Sequence, residues 1–326
     1  MMRLPEVATR SIGAARHWSE LGERGSALGI KILFWTYRLL GRGAFKALLC
    51  PVVVYFMLAG GYVRRSSRDY LAIVRRRLAE LGRPLPPRFG MYQHIAAFAN
   101  ALLDKLAMWA GALPPDVIAE EDVEALERFP LRERGSLFIG SHLGNLEVLR
   151  AFADKIPDMH VNALVSTRNS EKTNRVMDAM SPRTHSRLIQ IDEIGPETVL
   201  MLRDKVAAGE HVAIMADRVS VRHRGRSIMA PFLGRPAPFP EGPFVLASLL
   251  ECPVYLLFCV HDGERYRVHL EPFADPLVLP RATRQQALEQ AVGRYAERLE
   301  AHCLLAPTQW FNFFDFWKQA GDDRAA

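Results

Sequence analysis

The sequence predicts an α/β protein in which a mostly parallel central sheet is flanked by helices and preceded by an N-terminal membrane-associated helical region. Three observations carry that reading. From Ser136 onward, short apolar runs alternate with amphipathic segments, the pattern that parallel strands joined by crossover helices produce. Residues 47–63 form a nearly charge-free apolar stretch with arginine and lysine on both flanks. Hydrophobic residues make up 49% of the 326 residues and charged ones 24%, which excludes wholesale disorder, collagen and a polytopic membrane protein.

The N-terminal region comes first. Arg10, Arg16 and Arg24 precede the first apolar run, which starts near Ala27, and no small-residue cleavage pattern follows, so no signal peptide is expected. Leu28–Leu40 places Trp35 and Tyr37 at interface-like positions, with Lys31 and Arg38 able to snorkel. Ala47–Val63 sits at the lower limit of a spanning length, roughly 17 to 25 residues, and Pro51 and the Gly60-Gly61 pair interrupt it. A short span, a monotopic anchor and a buried helix pair are all compatible with it. Residues 1–90 carry 16 Lys/Arg against 5 Asp/Glu, while the remainder carries 26 against 31. The net charge of +6 therefore belongs to the N-terminal region, which fits an anionic lipid surface and argues against nucleic acid.

Arg64–Leu81 reads as a helix with a charged face, and the Pro-rich Arg83–Arg88 breaks it. This divides the chain into a basic, membrane-associated region, 1–90, and an α/β domain, 91–326. In Tyr92–Leu113 the residues Ile95, Phe98, Leu102, Leu106 and Trp109 recur at spacings of three and four, an amphipathic helix. Strands are expected at Ser136–Gly140, His160–Val165, Arg187–Ile191, His211–Met215, Pro253–Val260 and Arg265–Leu270. Helices are expected at Leu146–Lys155, Asn169–Met180, Pro196–Ala208, Gly242–Glu251 and Thr283–His302. Cys50, Cys252, Cys259 and Cys303 form no C-x-x-C pair and read as buried or inert thiols of a reducing compartment.

Chemistry concentrates where the first strand of this pattern ends. In Leu137-Phe138-Ile139-Gly140-Ser141-His142-Leu143-Gly144-Asn145-Leu146-Glu147 an apolar strand runs into a turn with His142, Asn145 and Glu147 beside it. On one continuous helix, residues five apart would lie about 140° round the axis, so a meeting of His142 and Glu147 requires a bend. Gly144 permits the bend, and Asn145 is a candidate N-cap that puts Glu147 in the first helical turn. A carboxylate so placed can fix the tautomer of His142 and leave its second nitrogen as a general base. The plainer alternative is a histidine that only ends a strand and a glutamate that only neutralises a helix start.

The run Ser141–Glu147 resembles the H-x-G-N-W-E form of the H-x4-D/E signature of lipid A late acyltransferases, within the lysophospholipid acyltransferase superfamily. Further similarity follows in the family's order at Ser166-Thr167-Arg168-Asn169 with Asn174-Arg175, at Ala216-Asp217-Arg218, and from Pro231 through Gly242 to Leu246-Ala247. The resemblance covers roughly residues 15–318. It implies acyl transfer from a thioester, on acyl carrier protein or coenzyme A, to a hydroxyl of a membrane lipid acceptor. His142 would be the base, Glu147 its orienting carboxylate, and no covalent acyl-enzyme or cofactor would take part. Gly144, Asn145, Arg168, Asn169 and Asp217 would bind or orient substrate, with Arg168 suited to oxyanion or phosphate charge. The plainer reading of Arg168 and Asp217 is an ion pair between two loops. By the same resemblance the chain would act at a bacterial inner membrane, its catalytic domain on the cytoplasmic side.

The chain departs from the family in two places. Asp217 is followed by Arg218 where the family usually has glutamine, and the C-terminal segment reads Gln309-Trp310-Phe311-Asn312-Phe313-Phe314-Asp315-Phe316-Trp317. Neither departure is expected to touch the His142–Glu147 pair; both bear on the acceptor, which is a lipid A-like or another glycolipid. A glycerolipid-type acyltransferase, acting on a lysophospholipid or glycerol phosphate, and a non-catalytic membrane scaffold are the alternatives. The basic loop Arg222-His223-Arg224-Gly225-Arg226 reads either as solvated surface or, through Arg222, Arg224 and Arg226, as a docking site for an acidic carrier protein or a lipid phosphate. No H-E-x-x-H occurs, so no metal is expected.

Overall fold

A computed structural model describes residues 60–109, 116–128, 134–153, 159–165, 187–190, 194–219 and 226–318, together with Cys50, Pro51, Val53, Val54 and Met57. Helices α1 (Gly61–Glu80), α2 (Met91–Trp109) and α3 (Glu120–Arg128) lead into strand β1 (Leu137–Gly140) and helix α4 (Leu146–Ala153). Then come β2 (Val161–Val165), β3 (Arg187–Gln190), α5 (Pro196–Ala207) and β4 (His211–Met215). A hairpin of β5 (Ser227–Phe232) and β6 (Arg235–Pro240) precedes α6 (Gly242–Leu250), β7 (Val254–His261), β8 (Tyr266–Ala274) and α7 (Arg284–Leu305).

The main sheet has the order β3-β2-β4-β1-β7-β8. Its first five strands are parallel and β8 runs antiparallel to β7. The alternation anticipated from Ser136 onward is thus realised strand for strand. Helices cover both faces, as a parallel sheet demands. Along β7, Val254, Leu256, Phe258 and Val260 face the larger core with Leu202 of α5, Phe244 of α6 and Tyr295 of α7. Leu257 and Cys259 face the opposite side with Val123 of α3 and Val148 of α4. Tyr70, Leu71, Val74 and Leu78 of α1 join the larger core, together with Trp310.

The β5–β6 hairpin is absent from the expectations drawn above. Pro231, Pro236, Pro238 and Pro240 sit in paired positions, and proline ordinarily argues against a strand. A two-stranded unit outside the main sheet tolerates them. Leu233 and Gly234 turn the chain with φ of 52° and 75°, the twist that a two-residue hairpin turn favours. Phe232 and Phe239 are buried and meet edge to face at 5.6 Å, which fastens the hairpin to the core. Helix α3 is likewise an element without a counterpart among the expected ones.

Among the described residues no helix is long and apolar enough to cross a membrane. Residues 1–49, Val52, Tyr55, Phe56, Leu58 and Ala59 of the apolar stretch 47–63, and the helix expected at Asn169–Met180 lie outside the described residues. Cys252, Cys259 and Cys303 are buried free thiols, as read from sequence, but Cys50 is exposed.

Candidate active site

Strand order and register assemble the site. Gly140 of β1 stands beside Met215 of β4 in parallel register, so the residues two positions beyond each strand, His142 and Asp217, emerge side by side at the carboxyl edge. The Asp217 carboxylate accepts twice from His142: Oδ2 from the backbone N–H at 2.9 Å, and Oδ1 from ring Nδ1 at 2.7 Å. Burial alone would raise the Asp217 pKa. The charge and hydrogen bonds of His142, with the charge of Arg218, overcome it and hold Asp217 well below the usual carboxylate range. The carboxylate is therefore ionised and can only accept, so Nδ1 carries the proton and Nε2 is left as the acceptor of a ring 31% exposed. Burial, then the positive charge of Arg218, lowers the His142 pKa despite the upward pull of Asp217, which keeps the imidazole neutral at neutral pH.

The carboxylate at Nδ1 is thus Asp217, which corrects the sequence assignment of that place to Glu147. Glu147 does lie in the first turn of α4, but its Oε1 accepts from Lys105 Nζ of α2 at 3.0 Å. The bend at Gly144 is also present, and for a second reason. Its φ is 72°, and a Cβ there would overlap the carbonyl oxygen of Cys259 in β7. The next residue, Asn145, stands at the N-cap position and donates through Nδ2 to the Ala101 carbonyl at 3.1 Å and to Tyr266 Oη at 3.3 Å, binding α2 and β8 to the turn.

Sequence reasoning missed a C-terminal clasp. Residues 309–312 lie along the His142 turn: Gly144 N–H donates to the Gln309 carbonyl at 2.8 Å, and Phe311 N–H to the His142 carbonyl at 2.9 Å. Trp310 Nε1 and Asn312 Nδ2 then donate to Asp217 Oδ2 at 2.9 and 3.2 Å. Arg218 completes the clasp, donating through Nε to Asn312 Oδ1 at 2.8 Å and through an Nη to the Phe311 carbonyl at 3.1 Å. The two departures from the family pattern, Arg218 and the C-terminal segment, consequently touch each other and Asp217, contrary to the expectation that they stand clear of the catalytic pair. The signal in sequence was positional: Asp217 follows its strand by two residues, as His142 does.

Other expected site residues divide by place. Arg168, Asn169, Arg222 and Arg224 lie outside the described residues, and Arg226 is exposed at the start of the hairpin. Among the described residues no group of three or more His, Cys, Asp or Glu is placed to hold a metal ion. A cavity of about 360 Å³, with Tyr70, Ile73, Phe314, Phe316 and Trp317 in its wall, shares Trp310 and Asn312 with the clasp.

None of the curated proteins compared with the chain matches it. A family model described as bacterial lipid A biosynthesis acyltransferase matches residues 93–319, a stretch that takes in all but the first two residues of α2, the His142 turn, Asp217 and the whole clasp. An imidazole held neutral and oriented by a buried carboxylate suits the acyl transfer of such enzymes, and by that match the chain belongs to the bacterial lipid A biosynthesis acyltransferase family.

Proposed function

We propose that the protein moves a fatty acyl chain from an acyl thioester to a hydroxyl of a lipid A-like or other glycolipid acceptor, with His142 as general base and Asp217 as its orienting partner. The observation that supports this most is the 2.7 Å hydrogen bond from Nδ1 to Asp217, which leaves Nε2 as the acceptor. An acceptor hydroxyl at Nε2 gives up its proton as its oxygen bonds to the thioester carbonyl carbon. Collapse of the tetrahedral adduct breaks the C–S bond, and the imidazolium returns the proton to the departing thiolate. Among the described residues no side chain near the pair suits a covalent route. Ser141 is 1% exposed and its Oγ accepts from the Leu143 N–H, while burial raises the thiols of Cys252, Cys259 and Cys303.

Glu147 acts in this reading through Lys105, whose positive charge is one of the influences that lower the His142 pKa. Arg168 and Asn169 would hold polar groups of donor or acceptor. The cavity beside Trp310 sets aromatic rings next to Arg76, Arg235, Asp69 and Asp315, a mixed wall that would take hydrocarbon beside a polar group. Acyl carrier protein fits as donor, with Arg222, Arg224 and Arg226 as its docking cluster. Residues 1–90, where the basic excess lies, would hold the enzyme on the cytoplasmic face of the inner membrane.

The test supplies the purified protein, in vesicles containing candidate glycolipids, with acyl-carrier protein or acyl-coenzyme A and reads the acylated product by mass spectrometry. Lipid profiles of cells with and without the protein name the acceptor. Full turnover in His142→Ala would remove His142 from the mechanism.

A further inference from the structure

One buried histidine lies outside the reaction yet is wired to it. His94 of α2 is fully buried, and its Nε2 meets the Trp310 carbonyl at 2.9 Å while its Nδ1 meets Ser67 Oγ of α1 at 3.0 Å. A carbonyl can only accept, so Nε2 carries the proton and Nδ1 accepts from the Ser67 hydroxyl. Trp310 is therefore tied at both ends: its carbonyl to His94, its indole N–H to Asp217 Oδ2. Its ring is fixed as well, packed on Tyr70, Phe232 and Phe316 at centroid distances of 5.2, 5.2 and 4.8 Å. Its backbone adds a third constraint, since Trp310 bridges Leu143, the residue after His142.

We propose that Trp310, pinned by His94, is a positioning residue of the reaction: it holds the Asp217 carboxylate against His142 Nδ1 and so fixes the imidazole tautomer. The proposal rests on the reading of His142 as the base. Asp217 gives Oδ1 to the imidazole, while Oδ2 accepts from the His142 backbone N–H, from Asn312 Nδ2 and from Trp310 Nε1, and the direction of the carboxylate follows from where these donors are fixed. Of the two side-chain donors to Oδ2, Trp310 is the one carried on a ring packed against three others, at 2.9 Å against 3.2 Å for Asn312. A packing role alone would be met equally by phenylalanine.

The experiment uses the full-length protein with ¹⁵N-labelled histidine, His142 being assigned by the signals lost in His142→Gln. In the wild type His142 is expected as the Nδ1–H tautomer. Trp310→Phe, which keeps an aromatic ring and deletes the donor, is expected to give a mixture of tautomers and to lower kcat about 10- to 100-fold with KM within about twofold. His94→Phe is expected to do the same while leaving Trp310 in place, and it carries the test if Trp310→Phe does not fold. A wild-type tautomer and kcat in the folded variants overturn the proposal. Because the tautomer is read without substrate, an enzyme found to transfer nothing would defeat the functional reading and leave this one standing or falling on its spectrum.

Discussion

Two carboxylates flank His142, and they live in different surroundings. Asp217 has a side chain with no exposed surface and accepts from His142 twice, from Trp310 and from Asn312. Glu147 has a side chain 26% exposed and an ion pair with Lys105, itself 23% exposed. Proximity in sequence favoured Glu147, five residues away, yet the sheet delivers the carboxylate 75 residues away. A strand end looks along the sheet toward its neighbour's end, whereas a helix start beyond a glycine bend is carried off the strand axis.

That difference is open to attack by mutation. The largest effect is expected at Asp217→Asn, which removes the charge that orients His142 and should cost about 10³-fold in turnover, close to His142→Ala. The double variant should be little worse than either single one, because the two act as a unit. Glu147→Gln, measured beside them, should lose about tenfold or less. Equal losses at the two carboxylates would erase the contrast.

The Asp217 side should also show in acid stability, through His94. Burial pushes the His94 pKa down from 6.5 to about 4, so between those values the folded protein holds fewer protons than the unfolded chain. Stability is then present above pH 6.5 and lost as pH falls through that window, by a total of about 3 kcal/mol. Denaturant midpoints for the wild type should drop over that range, and His94→Gln should flatten the slope. A slope unchanged in the variant would assign the acid loss to other groups.

Gly144 lies between His142 and Glu147 in the chain, and Gly144→Ala strains a φ of 72° and drives a methyl into the Cys259 carbonyl. We expect a loss of at least about 2 kcal/mol in chemical unfolding. The smallest effects lie on the Glu147 side and have opposite signs. Lys105→Met removes a positive charge near the imidazole, raises its pKa, and should move the acid limb of kcat/KM to higher pH. Glu147→Gln removes a negative charge beside Lys105 and should move that limb to lower pH. Shifts of the same sign would mean that the charges of Lys105 and Glu147 do not set the His142 pKa.

How far the sequence could be read follows from the range of each cue. His211–Met215 has the bounds read from its apolar run, and β1 and β2 each begin one residue inside theirs, because a buried parallel strand writes itself locally. His142, Gly144 and Asn145 were legible for the same reason. The partnership of His142 with Asp217 was not, since it depends on β4 lying beside β1, an order that crossover connections leave open. The hairpin was concealed by its prolines, and the clasp by its aromatic residues, which look the same whether they pack a core or present an indole N–H to a carboxylate. His94 gave no local cue at all: its partners, Ser67 and Trp310, are 27 and 216 residues away.

The clasp also sets a clock on the making of the enzyme. Trp310 is 93 residues beyond Asp217, and at roughly 5 to 20 residues per second a ribosome takes about 5 to 20 s to cover that interval. During it, β1 and β4 can pair and bring His142 to Asp217, but the carboxylate's second oxygen has no indole to receive. A nascent chain thus carries Asp217 without its indole donor through part of its synthesis, and the hydrogen-bonded cluster around His142 is complete only after the segment 309–312 has been made and has folded back.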